Sequence, residues 1–215
     1  MSRLVPLLNK ELLTLIVKLP ENSVEMAKAA EVSGAGAVCL NYSEDKDALR
    51  DIIDAVKIPM GMSLDENILT EAEMKDFKKL GFDFIDIPSN DAPDHLLKIG
   101  GFGRILALDP DYSEIDLTKL SGRPIDGLDA AVIMPEDWGK DLNVGDLQQY
   151  ITIAMSTTLP VIVPAQKSIR ASEVPIIWDT GTKGIMIGES ITGDTVASLK
   201  AVIKEYRSAI ESIKQ

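Results

Sequence analysis

Short apolar runs, each followed by a segment with helical character, return along the whole chain at a nearly even interval, and this repeat limits the folds open to it. Taken at Lys18, Asn41, Met62, Asp86, Asp109, Met134, Val163 and Ile187, the ends of the apolar runs lie 23, 21, 24, 23, 25, 29 and 24 residues apart. Each interval accommodates a strand, two or three turns of helix and two short loops. Eight such units in 215 residues match a closed (β/α)₈ barrel as a single domain. An open doubly wound sheet has fewer strands and often begins on a glycine fingerprint, which is absent here.

The runs themselves read as strands at Leu12–Leu19, Ala37–Asn41, Pro59–Met62, Phe82–Asp86, Arg104–Asp109, Leu128–Met134, Pro160–Val163 and Lys183–Ile187. They lack polar alternation, as parallel strands covered by helices on one side and packed inside the barrel on the other must. Helix starts are marked at Asn22-Ser23-Val24-Glu25, Ser43, Thr70-Glu71-Ala72-Glu73, Pro93, Ser113 and Ser172, with helices also expected from about Val144 to Ser156 and from Asp194 to about Ile213. Gly34, Gly81, Gly100 and Gly181 follow helix ends. The last strand leads into Gly188-Glu189-Ser190-Ile191-Thr192-Gly193, a polar turn of the kind that can hold an anion on backbone N–H groups.

Composition narrows the partners. The net charge of −12 repels nucleic acid and anionic membranes, so neither is expected. One cysteine, Cys39, excludes an internal disulfide and fits a cytoplasmic protein; no 18 apolar residues run together, and the apolar run near Met1 is too short for a signal peptide to be expected. A small-molecule ligand is the expected partner, and a homo-oligomer remains open.

In a (β/α)₈ barrel the chemistry sits where the strands end. Lys18 ends the first strand after Leu15-Ile16-Val17, where a desolvated amine can act as base or Schiff-base former; an outward-facing rim ion pair is the other reading. Asp86, framed by Phe84, Ile85, Ile87 and Pro88, suits a general acid or base. Asp109, beside Pro110 and Asp111, is either a third catalytic group or part of a turn. Asn41, Gln166, Lys167, Gly188, Ser190 and Gly193 are the candidates for holding a ligand. Glu136 and Asp137 follow the sixth strand; Asp86, Asp109 and Glu136 together could hold a divalent cation, although no metal site is expected. His95 falls on a helix, and Cys39 with the strand methionines reads as core.

The segments Leu159–Val163, Ser172-Glu173-Val174 and Thr180–Gly188 with Ile191-Thr192, together with Met26–Val38 continuing to Asn41, resemble the ribulose-phosphate-binding barrels, nearest to the N-acetylmannosamine-6-phosphate epimerases. The resemblance implies a phosphate held after the seventh and eighth strands, and an aspartate at Asp86. The epimerase pattern also has a lysine ending strand three and a glutamate followed by glycine after strand seven. This chain has Met62-Ser63-Leu64-Asp65 and Pro164-Ala165-Gln166-Lys167 there, and Glu189 stands beside the expected phosphate. The first reading is therefore an isomerase or lyase that moves a proton on a phosphorylated metabolite. A barrel without catalysis, serving binding or assembly, is the second, and a flavin-phosphate-binding oxidoreductase the third. The sequence names no cofactor.

Overall fold

A computed structural model describes all residues except 1, 65–68, 90–91, 93–96, 113–116, 118–119, 121 and 214–215. Eight parallel strands close into a barrel in chain order: β1 Thr14–Lys18, β2 Ala37–Asn41, β3 Met60–Ser63, β4 Phe84–Pro88, β5 Gly103–Ala107, β6 Gly127–Asp129, β7 Val161–Pro164 and β8 Gly184–Ile187. The barrel closes where Val17 of β1 pairs with Ile187 of β8. The helices are α1 Leu4–Lys10, α2 Val24–Ser33, α3 Lys46–Asp54, α4 Glu71–Leu80, α5 Val144–Ser156, α6 Val174–Asp179, α7 Glu189–Thr192 and α8 Val196–Ser212. The helix starts expected at Pro93 and Ser113–Asp116, and His95, lie outside the described residues.

Local chemistry sets most helix boundaries. The Ser23 hydroxyl accepts the Met26 N–H, and Thr70 with Glu73 completes a reciprocal capping box. Gly34 and Gly81 close α2 and α4 at φ 104° and 102°, a left-handed conformation that favours glycine. The expected cap at Ser43 shifts by two residues: Asp45 caps α3, and Ser43 accepts the Asp45 N–H instead.

Alternate strand residues divide between two apolar layers. Leu15, Val17, Val38, Leu40, Ile85, Leu106, Val163 and Ile185 point outward against the helices. Ile16, Cys39, Phe84, Ile105, Ile162 and Met186 fill the barrel interior together with Leu4 and Leu8 of α1. A helix over Leu4–Lys10 was not expected from the sequence. Its seven residues are too few to show a period, yet Leu4 and Leu8, one turn apart, plug the amino-terminal end of the barrel. Arg3 anchors it by donating to both oxygens of Asp83 and to the Lys57 carbonyl. With that end closed by α1, the barrel interior opens at its carboxyl end.

Strand bounds shift from expectation: β4 is Phe84–Pro88 rather than Phe82–Asp86, β5 is Gly103–Ala107 rather than Arg104–Asp109, and two further strands are shorter. The first is Thr14–Lys18 rather than Leu12–Leu19, with Leu13 and Leu19 still buried outside it. The sixth ends at Asp129 rather than Met134. Past it, Val132 N–H turns back to the Ala130 carbonyl, and Val132 and Ile133 bury beneath the following loop. That shortening moves an aspartate to the mouth of the barrel.

Candidate active site

The parity of β1 decides the first candidate. Ile16 faces the barrel interior, so Lys18, two residues on, does as well. Its ammonium donates to Ser63 Oγ at the end of β3, at 3.2 Å. The same parity brings Asp86 inward above Phe84, and Asp129 inward at the level of Ile162 on β7. Lys18, Ser63, Asp86 and Asp129 thus form the polar floor of a cavity of about 890 Å³ at the carboxyl end.

Asp86 is 6% and Asp129 2% exposed. Burial pushes the Asp129 carboxyl well above the usual carboxylate range, and the Asp86 charge and a hydrogen bond with Asp86 add to the rise. The Lys18 ammonium opposes it with the smallest effect. Asp129 is thus a buried carboxyl group hydrogen-bonded to a second one, in surroundings that favour its protonated form. Its Oδ1 is buried and has no hydrogen-bond partner among the described residues. Asp129 was absent from the sequence candidates because it lay inside what read as one long apolar strand. The available signal was an aspartate within Leu128-Asp129-Ala130-Ala131-Val132-Ile133, a run with no nearby cation.

Above the floor the walls are mainly apolar. Pro88, Leu108 and Pro110 come from the β4 and β5 loops, Pro135 and Trp138 from the β6 loop, and Ala165 from the β7 loop. Asp109 lines the cavity too, and its Oδ1 accepts the Asp111 N–H at 2.9 Å, so it shapes a turn as well as facing the ligand space. Gln166 lines the wall and clamps the β6 loop. Its side-chain oxygen accepts Ile133 N–H at 3.1 Å, and its carbonyl accepts Gly139 N–H at 2.8 Å.

The remaining candidates separate. Gly188 and Ser190 line the cavity at the start of α7, and Glu189 beside them is exposed and outside the lining, which removes its charge from the ligand wall. Gly193 closes α7 and is not in the lining. Asn41 ties two loops together: its amide donates to the Leu19 carbonyl, while its backbone pairs with the Asn22 side chain. Lys167 does not reach the mouth. It is 2% exposed, and its ammonium meets Asp146 at 3.2 Å, beneath the start of α5. Among the described lining residues, Lys18 is thus the one cationic side chain. Glu136 sits exposed and Asp137 half-buried on a short 3₁₀ turn outside the lining. No three His, Cys, Asp or Glu side chains among the described residues stand close enough to hold a metal ion, so Asp86, Asp109 and Glu136 do not converge as a cation site. No described helix is long and apolar enough to cross a membrane.

Solved structures share this architecture. Thiamine phosphate pyrophosphorylase from Pyrococcus furiosus superposes with a TM-score of 0.71 at 15% identity, covering 95% of this chain and 98% of that one. Mycobacterium tuberculosis tryptophan synthase gives 0.76 at 16% identity, covering 97% and 98%. A native KDPGal structure gives 0.73 at 15%, covering 94% and 97%. At this identity the likeness establishes the barrel fold. No family model matches the chain, and no curated protein sequence does.

Proposed function

We propose that this barrel is an enzyme that moves a proton on a phosphorylated small metabolite, as an isomerase or lyase. The observation that carries the reading is the pairing of Asp129, held in its acid form, with Asp86 and Lys18 on the floor of the cavity. Asp129 is the carboxyl group whose surroundings hold its proton, so it serves as the acid and leaves its neighbour Asp86 for the base. Asp86 removes a proton from substrate carbon, Asp129 supplies one to the substrate oxygen, and the Lys18 ammonium stabilises the negative charge that develops between them. Asp109 at the rim orients the polar groups of the substrate.

The phosphoryl group sits on the β7–β8 side, along Gly188, Ser190 and the Gln166 wall, away from the carboxyl floor. Gly193 closes the short helix behind that wall, Asn41 braces the loops after β1 and β2, and Lys167 takes no part. Support for a phosphorylated ligand comes from the shared fold with thiamine phosphate pyrophosphorylase, whose name specifies a phosphate compound, and from the sequence resemblance to ribulose-phosphate-binding barrels. The epimerase route through a β3 lysine and a β7 glutamate is unavailable, since Ser63 and Gln166 occupy those regions. The ammonium at the end of β3 arrives instead from Lys18 on β1.

The test is hydrogen exchange. A panel of sugar, ketose and hydroxy-acid phosphates incubated with the protein in deuterated water should show deuterium entering a carbon site of at least one member by NMR. Asp86→Asn and Lys18→Ala should slow that exchange by about 10²-fold or more with little change in melting temperature. Exchange at the wild-type rate in Asp86→Asn, or none with any phosphate, contradicts the reading.

A further inference from the structure

We infer that the ligand of this cavity also carries a planar unsaturated ring, seated against Trp138 on the β5–β6 side of the mouth. This rests on the cavity being the substrate site proposed above, and it adds the chemical class of the part farthest from the phosphate. Trp138 is 56% exposed, yet its surroundings hold it in place. The indole N–H donates to the Ile133 carbonyl at 2.9 Å, and the neighbouring Gly139 N–H donates to the Gln166 carbonyl at 2.8 Å. Ser168 N–H reaches the Lys140 carbonyl at 2.9 Å, fastening the far end of the same loop. Because the polar group of the indole is satisfied inward, what it offers the cavity is apolar ring surface, fixed before any ligand arrives. A rigid aromatic surface binds with little loss of conformational entropy.

The residues beside it decide what can lie there. Leu108, Pro110, Ala131 and Pro135 line the same side. Neither proline has an N–H to donate, and none of the four side chains forms a hydrogen bond. A sugar ring also packs on indole, but beside Leu108, Pro110, Ala131 and Pro135 the Asp109 carboxylate is the one polar side chain, so most of its hydroxyl groups would leave water at a cost. A planar ring loses nothing there and gains aromatic contact with Trp138. The volume of about 890 Å³ is also near the top of the range of about 300–1,000 Å³ that drug-sized ligands occupy, more than a short sugar phosphate fills.

The probes are 1-naphthyl phosphate, ribose 5-phosphate and inorganic phosphate, titrated by calorimetry against the wild type and by fluorescence against Trp178→Phe, which leaves Trp138 as the only tryptophan. The expected result is one saturable site at which 1-naphthyl phosphate quenches Trp138 and binds at least about tenfold tighter than ribose 5-phosphate. Trp138→Ala should lose about that factor, and Trp138→Phe should retain most of the affinity. Ribose 5-phosphate binding as tightly as 1-naphthyl phosphate, or undiminished naphthyl binding in Trp138→Ala, overturns the inference. Quenching that follows protein concentration rather than probe concentration, as self-association through Trp138 would give, overturns it too. Naphthyl binding as expected with no deuterium exchange on any phosphate would remove the proton-transfer reading and leave the ring site standing.

Discussion

Asp129 holds its proton at a cost in stability. The folded protein binds this proton more tightly than the unfolded chain, whose aspartate titrates near 3.9. As pH rises from about 4 toward the raised folded value, the unfolded state releases the proton first, and the fold loses up to about 1.4 kcal/mol per pH unit. Asp129→Asn removes this slope. The variant should therefore be more stable than the wild type at pH 7 to 8, with the advantage shrinking toward pH 4, as urea melts at several pH values would show. Equal stability at every pH would mean that Asp129 is not held as an acid. Lys18 and Asp86 were readable in the sequence because each ends an apolar run, where the barrel rule puts chemistry. Lys167 met the same rule and goes elsewhere, since it pairs with Asp146, and nothing in sequence spacing shows that the two meet.

At the level of elements, the barrel interior depends on one close approach. A Cβ on Gly61 of β3 would lie 2.2 Å from the Phe84 ring, which occupies the space a side chain there would need. Gly61→Ala should force Phe84 from its position, directly below Asp86 on β4, and cost about 1–3 kcal/mol. Thermal melting would read that loss, and an unchanged melting temperature would show that Phe84 is not packed there. Helices with strong local signals, such as α4 with its capping box, were legible at once. The α1 plug was not, because its role depends on Leu4 and Leu8 meeting Ile16, Phe84 and Met186 far along the chain. The short β6 was missed for a related reason. Ala130, Val132 and Ile133 are buried past the strand end while Ala131 lines the cavity, and a run of apolar residues does not show which neighbour covers it.

For the molecule as a whole, strand spacing carried the fold: eight units close in order, with the amino end plugged and the carboxyl end open. Closure also brings Lys18, Ser63, Asp86 and Asp129 together from four strands, a grouping visible only once the register of every strand is set. The site of an acidic chain then comes down to one ammonium and three carboxyl groups around an apolar cavity. The proposed chemistry requires that one of those carboxyl groups keep its proton. Carbon-13 NMR of the aspartate side-chain carboxyls, titrated in the wild type and in Asp86→Asn, measures that directly. Asp129 should titrate well above the usual carboxylate range in the wild type and fall when the Asp86 charge is removed. An Asp129 that titrates near 4 in both proteins would contradict it.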